Sequence, residues 1–452
     1  MKVAIFTDTF YPEVNGVVTC IMNLCKNLKD KGYEFIIFAP RYPKSIGSND
    51  LFLGNNVKIV RSISIGLTTN KNSRFAFPNL FKHYFEFKRF NPDIVHIHTP
   101  MSIGVMGLVY AKLNRKPIMG TYHTYLPDFL GYVSPAKLLR ISKIISIFYP
   151  KLSDEYKTLH REIKALKLIG NSFESLKIRK GIKKSAVKIT WLFTRLIYDR
   201  CELITAPSKV MVKELKKNGL KRNVYYLTNG VETEMFRPKG DLNVPEKEIR
   251  LINVGRLGYE KHVDDVIRAL SILNKNNKSY VFRLEIAGAG PELKNLKKLS
   301  DSLGLRDYVH FSGWVRREYL PELYSKSHIF VTASTIETQG IVVLEAMSSG
   351  LPVVGANKLA LNELIINGYN GYRARAGDAN DFAKKIFAIA TNKKLYSDMK
   401  VNAENTVEEH KIENAMDNFA VSYNKVCDAH YSWKLKKRIE HETKKIRKIL
   451  NA

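Results

Sequence analysis

The feature that most constrains the fold is an alternation of short β-rich runs with amphipathic helical stretches, which continues through most of the 452 residues. Such alternation is typical of parallel sheets built from strand–helix–strand units. The series begins at residues 2–6 and begins again near residue 250, after the Gly- and Pro-containing loop 228–245. A chain of this length also exceeds one ordinary domain. The sequence therefore predicts two doubly wound α/β halves of similar size.

The first series predicts six strands and two helices, and the second predicts five strands and three helices. The predicted strands are 2–6, 34–39, 94–97, 117–121, 203–206 and 224–227, then 250–254, 281–287, 309–311, 329–332 and 352–355. The predicted helices are 18–31 and 103–113, then 262–274, 292–303 and 342–349. We expect domains at 1–238 and 239–418, followed by a terminal basic helix at 419–452. Ligands of open α/β sheets bind at the carboxyl ends of the strands, so facing halves would form a site in the cleft between them.

Charge is the most informative part of the composition. Lys and Arg number 73 against 43 Asp and Glu, a net charge of +30 that indicates an anionic partner, either nucleic acid or an acidic membrane surface. Two segments concentrate this charge between apolar residues at helical spacing: 136–190 with a net +10 and 433–449 with a net +6. The longest nearly uncharged apolar stretch, 101–111, is too short to cross a bilayer, and the N-terminus lacks a signal-peptide pattern. We therefore expect a cytoplasmic protein.

The first candidate motif pairs two acids around a glycine, directly after the predicted strand 329–332. Glu337 and Glu345 are separated by seven residues, with Gly340 between them. If a helix begins near Gly340, the unpaired amides of its first residues, Ile341 and Val342, form an anion site that suits a diphosphate. Glu337 could accept hydrogen bonds from sugar hydroxyls and Glu345 from a ribose. On spacing alone, two unrelated acids explain this pattern better.

The second motif lies at the end of strand 250–254, where Arg256 and Lys261 would place two cations near a diphosphate. Such a pair could stabilise a departing diphosphate without a metal. No Asp-x-Asp pair stands at a strand end, and the adjacent acids Asp264 and Asp265 fall in a predicted helix. The four cysteines fit no zinc or redox spacing. For Lys261 alone, surface solvation explains the charge equally well.

Two further residues follow strands of the first half. Gly16 stands at a helix start and could allow close approach to a phosphate, although it could equally be a turn residue. His123 follows the strand 117–121 and could contact the transferred sugar or its acceptor, although a structural role explains it nearly as well. His96 and His98 alternate along a strand end, and we interpret both as structural.

Together these motifs resemble the retaining GT-B glycosyltransferases of family GT4 over nearly the whole chain. The resemblance implies two Rossmann-like domains, with the donor in the second and the acceptor and membrane surface in the first. It further implies that the two acids contact the donor sugar and ribose, the two cations bind the diphosphate, the glycine contacts the phosphates, and the histidine lies beside the reacting sugar. These roles fall on Glu337 and Glu345, Arg256 and Lys261, Gly16, and His123; the implied catalytic residues are His123, Arg256, Lys261 and Glu337.

Two departures from the common family form narrow the resemblance. The motif opens Glu337-Thr338-Gln339-Gly340, and the paired glycines of the first loop become Asn15-Gly16. Both, together with Tyr122-His123-Thr124-Tyr125, are similar to the branch that glucosylates diacylglycerol, the 1,2-diacylglycerol 3-alpha-glucosyltransferases. This implies UDP-glucose as donor, a lipid acceptor, retention of configuration, and no metal or other cofactor. Asn15, Gln339, Ile341 and Val342 then join the implied substrate-binding residues. The segment 136–190 is longer than we expect for that branch, which leaves the acceptor open.

The basic amphipathic segments could be solvated helical faces with no partner. As binding surfaces they favour a membrane over nucleic acid, because the sequence contains no nucleic-acid module. A peripheral protein on the inner face of the cell membrane is the expected result. Three alternatives stay open: a glycosyltransferase with a soluble or polysaccharide acceptor, a phosphorylase-like enzyme, and a non-catalytic nucleotide-binding module. A pyridoxal absorbance band would identify the second, and binding of UDP-sugar without turnover the third. The oligomeric state is not determined by the sequence.

Overall fold

The structure is a computed structural model that describes residues 1–45, 47–49, 51–67, 70–125, 187–188, 190–238 and 246–450. Side chains at 67, 70–73 and 434–450 are not described. Nearly all of the predicted basic insertion at about 136–190 lies outside the described residues. The chain forms two compact units: the first contains residues 1–206, 212–226 and those from Asp417 onward, and the second contains 207–211 and 227–416.

The first unit is built on an eight-stranded sheet with the order β4-β3-β2-β1-β5-β6-β7-β8. All neighbouring strands are parallel except β3 and β4, which form an antiparallel hairpin at the sheet edge. The central strands are four or five residues long and almost entirely buried, as expected where helices cover both faces of a parallel sheet. The strands are β1 Lys2–Phe6, β2 Glu34–Pro40, β3 Val57–Leu67, β4 Asn70–Phe77, β5 Ile94–Ile97, β6 Ile118–Thr121, β7 Leu203–Ala206 and β8 Val224–Tyr226.

The second unit contains a six-stranded sheet with the order β11-β10-β9-β12-β13-β14, and every neighbouring pair is parallel. This is the strand order of a Rossmann-type, doubly wound sheet. The strands are β9 Glu248–Val254, β10 Val281–Ala287, β11 Val309–Gly313, β12 Ile329–Thr332, β13 Val353–Ala356 and β14 Gly371–Ala374.

Thirteen labelled α-helices connect and cover these strands in the described residues. They are α1 Gly16–Leu28, α2 Leu80–Phe90, α3 Ser102–Leu113, α4 Lys209–Lys217, α5 Thr233–Phe236, α6 Val263–Asn276, α7 Leu293–Ser302, α8 Leu320–Ser325, α9 Ile341–Ser348, α10 Leu361–Leu364, α11 Ala379–Ala390, α12 Lys393–Val407 and α13 Ile412–Leu450. Residues 190–198 are also helical.

All eleven predicted strands and all five predicted helices are present, with boundaries shifted by at most two or three residues. The elements that the sequence analysis did not predict are the strands β3, β4 and β14 and the helices α2, α4, α5, α8, α10, α11 and α12. The long helix α13 begins in the second unit and belongs to the first unit from Asp417 onward. There Phe419 and Tyr423 are buried, and His430 lies 3.1 Å from Glu202. Among the described residues, no helix combines the length and apolarity needed to cross a membrane.

Candidate functional site

In the second unit, the candidate site begins where the strand order of the sheet reverses. β9 lies beside both β10 and β12, so the connections after β9 and β12 leave the sheet in opposite directions. Ligands of open α/β sheets bind in the crevice formed at such a point. The loop after β9 carries Arg256 and Lys261, and the loop after β12 carries Glu337 and Gly340. The topology therefore brings the two predicted motifs to one edge of one sheet.

Lys261 and Glu337 form a close ion pair, with Nζ 2.5 Å from Oε1. Burial raises the pKa of Glu337, but the charge and hydrogen bond of Lys261 outweigh it, so the pKa lies below its ordinary value. The charge of Arg256 acts in the same direction. Glu337 is thus an ionised carboxylate that a cation holds in place. Such a carboxylate can accept hydrogen bonds from sugar hydroxyls and orient them.

Arg256 pairs with Glu260, a buried acid four residues further along the chain. Sequence reasoning missed Glu260, because an acid between two cations gives no signal of its own. The Arg256 side chain is 40% exposed on this support. A cation that is partly exposed and held by a buried acid can bind an anionic ligand without moving far.

Gly340 ends the loop after β12 and caps helix α9. Its φ of +82° lies in the left-handed region, and a Cβ there would approach Leu364 Cδ1 to 3.2 Å. A side chain at this position would therefore be strained. The helix begins at Ile341, and the first amide bonded back to Gly340 is that of Val343. The amides of Ile341 and Val342 come before this bond, so they stand at the positive end of the helix.

Glu345 is buried one turn into α9, where Arg317 contacts it. Arg317 Nε lies 3.2 Å from Glu345 Oε1, and its Nη1 pairs with Glu232; the Tyr324 hydroxyl lies 3.5 Å from Glu345 Oε2. Burial raises the pKa of Glu345, and the charge of Arg317 opposes this rise. Glu345, which the sequence predicts to accept hydrogen bonds from a ribose, is thus one member of a buried charged cluster. Neither Arg317 nor Glu232 belongs to a sequence motif, so sequence reasoning could not have identified them.

Gln339 has both ends of its side-chain amide engaged within the second unit. Its Nε2 donates to Thr228 Oγ1 at 2.8 Å, and its Oε1 accepts from the amide of Asn229 at 3.2 Å. Thr228 Oγ1 also lies 3.1 Å from His410 Nδ1. The residue that departs from the common family motif therefore joins the 228–231 loop to the loop after β12. Its predicted contact with the substrate stays a prediction.

The first unit also has a reversal of strand order, between β1 and β5. Asp8, just after β1, accepts hydrogen bonds from the amides of Met101 and Ile103 at 3.1 and 2.8 Å and from the Thr99 hydroxyl at 2.7 Å. It thereby joins this loop to the start of α3. Burial raises the pKa of Asp8, while these hydrogen bonds act against the rise. The sequence analysis did not identify this role.

Asn15 caps α1, and Gly16 is the first residue of that helix. Asn15 Oδ1 accepts from the amides of Val17 and Val18 at 3.0 and 3.1 Å, and Nδ2 donates to Thr9 Oγ1 at 2.8 Å. The Asn15 side chain therefore organises the helix start. The predicted phosphate contact of both residues stays a prediction.

His123 follows β6 and is buried against two other histidines. Its Nε2 lies 2.8 Å from His98 Nδ1, and His98 Nε2 lies 3.1 Å from His96 Nδ1. Burial lowers the pKa of His123 to about 3 and lowers those of His98 and His96 well below 6.5. All three imidazoles are therefore neutral. Sequence reasoning expected no metal site, yet Cys20, His98 and His123 bring ligand atoms within 4.8 Å of one another.

A cavity of about 430 Å³ lies elsewhere in the second unit. Its lining includes Arg250, Arg283 and Val309, which belong to the beginnings of β9, β10 and β11. These are the amino ends of the strands, opposite the edge that carries Arg256 and Glu337. The cavity therefore contributes nothing to the candidate site.

Comparison with known families gives two adjoining matches. Residues 14–235 match the family described as Glycosyltransferase Family 4, and residues 236–406 match Glycosyl transferases group 1. The chain is 29% identical over 366 residues to an alpha-monoglucosyldiacylglycerol synthase of Streptococcus pneumoniae, covering 81% of this chain and 73% of that protein. It is 26% identical over 405 residues to the protein of that name from Acholeplasma laidlawii, covering 89% and 92%.

Solved structures support the fold. The chain is similar to Anabaena HepE in complex with UDP-glucose, with a TM-score of 0.67 and 16% identity over 94% of this chain and 100% of the other. It is also similar to sucrose-phosphate synthase from Thermosynechococcus elongatus, with a TM-score of 0.66 and 16% identity over 95% and 99%. With the two parallel sheets, these similarities confirm the predicted α/β architecture of the GT-B class.

Proposed function

The chain belongs to the GT4 family of glycosyltransferases, and on this premise we propose that it transfers glucose from UDP-glucose to diacylglycerol in a membrane, with retention of configuration. The domain 239–418 would bind the nucleotide sugar, and the domain 1–238 would serve the lipid acceptor. The terminal helix 419–452 and the basic segment 136–190 would add attraction to anionic lipid on the inner face of the cell membrane. One observation carries the transfer reaction: the Lys261–Glu337 ion pair at the strand reversal of the second unit.

The donor half of the proposal follows from the charges around this pair. Arg256 and Lys261 supply positive charge for a diphosphate, and the start of α9 at Ile341 supplies amide dipoles. Glu337, ionised beside Lys261, would accept hydrogen bonds from the sugar. The named relatives and the UDP-glucose complex of HepE favour UDP-glucose as donor.

The acceptor half is supported by an inverted pattern of polarity on the β3–β4 hairpin. Ile63 pairs with Phe77 and Ile65 with Phe75, so these four apolar side chains share one face. Ile63, Ile65 and Phe77 are more than half exposed, whereas Ser62 and Ala76 on the opposite face are buried. An apolar face turned outward in this way marks an interaction site with an apolar partner.

Helix α2, which follows the hairpin, continues this pattern. Phe81 and Phe85, one turn apart, are 82% and 67% exposed, while His83 and Phe87 are buried. Residues 57–90 contain seven Lys or Arg and one acid, Glu86. Exposed aromatic residues among cations suit the interface of an anionic bilayer, where each cation contributes about 1 kcal/mol. We call Ile63, Ile65, Phe77, Phe81 and Phe85 the apolar face of the first unit.

The proposed mechanism needs no metal or other cofactor. The bond between the sugar C1 and the phosphate oxygen breaks, and its electron pair leaves with UDP through an oxocarbenium-like state. The acceptor hydroxyl attacks the same face of the sugar, and its proton passes to an oxygen of the departing phosphate. Arg256 and Lys261 would stabilise the charge that develops on the diphosphate, and neutral His123 would contact the reacting sugar.

The test is incubation of the purified protein with a panel of labelled nucleotide sugars and vesicles of mixed lipids, followed by product analysis. The proposal expects UDP release with UDP-glucose that depends on diacylglycerol in the vesicles. Equal release with a soluble sugar or polysaccharide acceptor would favour the alternative, a GT4 enzyme of soluble or polysaccharide acceptors. Binding of nucleotide sugar with no turnover in any mixture would contradict both.

A further inference from the structure

A continuous chain of hydrogen-bonded side chains runs through the core of the first unit and ends at His123. From His123 it passes to His98 at 2.8 Å and to His96 at 3.1 Å. His96 then contacts Thr121 Oγ1 through Nε2 at 2.7 Å and the Tyr423 hydroxyl through Nδ1 at 2.8 Å. All five residues are buried. The proposed reaction gives a role to His123 and none to His98, His96, Thr121 or Tyr423.

Two proton arrangements satisfy both contacts between the rings. A neutral imidazole carries one N–H, so each contact between two rings needs one donor and one acceptor. If His98 donates from Nδ1 to His123, then His96 must donate from Nδ1 to His98, and all three carry the proton on Nδ1. If His123 donates from Nε2, all three carry it on Nε2. The tautomer of His123 is thus coupled to those of the other two rings.

The Thr121 hydroxyl at the far end accommodates either arrangement, whereas the Tyr423 hydroxyl contacts the same His96 Nδ1 that faces His98. Thr121 Oγ1 lies 2.7 Å from both His96 Nε2 and Thr205 Oγ1, so it can accept from one and donate to the other in either direction. Tyr423 approaches from α13, so the last helix of the chain contacts the same network. The network therefore includes residues of β5, β6, β7 and α13, four elements that the sequence places between residues 94 and 450.

The Cys20 thiol near His98 and His123 makes metal binding a rival explanation. Two nitrogens that bind one tetrahedral zinc ion at the usual bond length are about 3.3 Å apart. His98 Nδ1 and His123 Nε2 are 2.8 Å apart, the distance of a hydrogen bond, and their ring planes differ by only 10° with the ring centroids 5.0 Å apart. The geometry therefore favours hydrogen bonding between the rings.

We propose that His98 is a positioning residue for glycosyl transfer, which couples the tautomer of His123 to its own, orients the His123 ring, and is itself held by His96. This inference rests on the proposed function, because it assumes that His123 meets the sugar. An imidazole whose tautomer is set by its neighbour presents either a donor or an acceptor to the substrate at all times. His98 would act only through His123.

The first test is the tautomer itself, and it requires no turnover. Protein labelled with ¹⁵N-histidine is studied by two-bond ¹H–¹⁵N correlation NMR at neutral pH, with signals assigned by single substitutions. The wild type should show His96, His98 and His123 neutral and in one shared tautomer, and His98→Phe should leave His123 in a mixture. Mixed tautomers among the three rings of the wild type would overturn the proposal. Failure of the proposed reaction would not affect this result.

The second test separates positioning from general loss of structure. His98→Phe should lower kcat on the order of 10- to 100-fold, as is usual for residues that orient a reacting group, with the donor KM little changed. His98→Asn, whose amide can take the place of Nδ1, should recover part of the loss. The control is His83→Gln, which alters another buried histidine of this unit, outside the network. Equal losses in His98→Phe and His83→Gln, or a stoichiometric metal that Cys20→Ser removes, would overturn the proposal.

Discussion

Glu337 and Lys261 depend on each other because each is largely buried. A carboxylate in that position stays ionised only while a cation compensates for lost hydration, and Lys261 at 2.5 Å supplies it. Removing one member leaves an uncompensated charge, which is more costly than removing both. The same pair would bind the two ends of one substrate, with Glu337 at the sugar and Lys261 at the diphosphate.

Lys261→Met should therefore reduce kcat by about 100-fold or more, since a preorganised group that stabilises developing charge contributes on the order of 10² to 10³ in rate. Initial rates at saturating donor measure this effect. The double variant Lys261→Met/Glu337→Gln should regain thermal stability relative to Lys261→Met but not activity.

Lys326→Met is the matched control, because Lys326 also pairs with an acid of the second unit, Glu322, but on the exposed surface. Its rate should equal that of the wild type. If Lys261→Met also retained near-normal turnover, the assignment of Lys261 to the departing diphosphate would be wrong.

The three coupled histidines predict acid sensitivity. Their pKa values in the folded protein lie well below the ordinary value of 6.5, so between the two the unfolded chain binds more protons. Stability contributed by the neutral rings is present above pH 6.5 and is lost as pH falls. His123, whose pKa is lowered to about 3, should alone cost about 2 kcal/mol between pH 7 and pH 5, and His96 and His98 act in the same direction. Calorimetric melting of the first unit should show a steep fall over this range, and a pH-independent Tm would contradict the burial described here.

At the residue scale, sequence reasoning located the charged residues of the donor site but not their supports. Arg256, Lys261, Glu337 and Gly340 follow strands that adjoin in the sheet, so their order along the chain was informative. Arg317 lies in the segment after β11 and contacts Glu345, a pairing that only the folded chain creates. His96 and His98 were interpreted as structural, because nothing in a strand pattern shows which rings will meet.

At the scale of elements, the β3–β4 hairpin and α2 are the part of the first unit that sequence patterning failed to predict. The usual pattern places apolar residues inward, and here Ile63, Ile65 and Phe77 lie outward while Ser62 and Ala76 lie inward. A hairpin with this inverted polarity resembles an ordinary buried strand in sequence. The β-strands with uniform burial, such as β1 and β12, were predicted well because nothing competes with their apolar runs.

The apolar face predicts how the protein meets a membrane. The double variant Phe81→Ser/Phe85→Ser removes two exposed aromatic side chains that would enter the interface, a loss of about 3 kcal/mol or about 100-fold in partition. Co-sedimentation with anionic vesicles at low salt measures this loss. Activity towards lipid in vesicles should fall with binding, while the affinity for UDP should not change.

Val401→Ser is the control, because Val401 is an exposed apolar residue of α12 in the second unit. It should bind vesicles as the wild type does. If Phe81→Ser/Phe85→Ser bound vesicles as well as the wild type does, the apolar face would have another partner. The basic segments alone would then attach the protein to the membrane.

At the scale of the whole molecule, the two units repeat one design. Each is a mainly parallel sheet whose strand order reverses once, and the loops at that reversal carry Asp8 and His98 in the first unit and Lys261 and Glu337 in the second. This repetition could be predicted from the two series of strands and helices. By contrast, the sequence could not predict that α13 belongs to the first unit from Asp417 onward, because the pattern of a long helix does not indicate the unit on which the helix packs.

The structure of the lipid product tests the central claim most directly. Purified protein is incubated with UDP-glucose and diacylglycerol vesicles, and the glycolipid is isolated for mass spectrometry and for NMR of its anomeric proton. The account predicts one glucose on the free hydroxyl of diacylglycerol, in the α configuration that UDP-glucose carries. A β-linked product, or UDP release with the glucose found on water or a soluble acceptor instead of lipid, would contradict it.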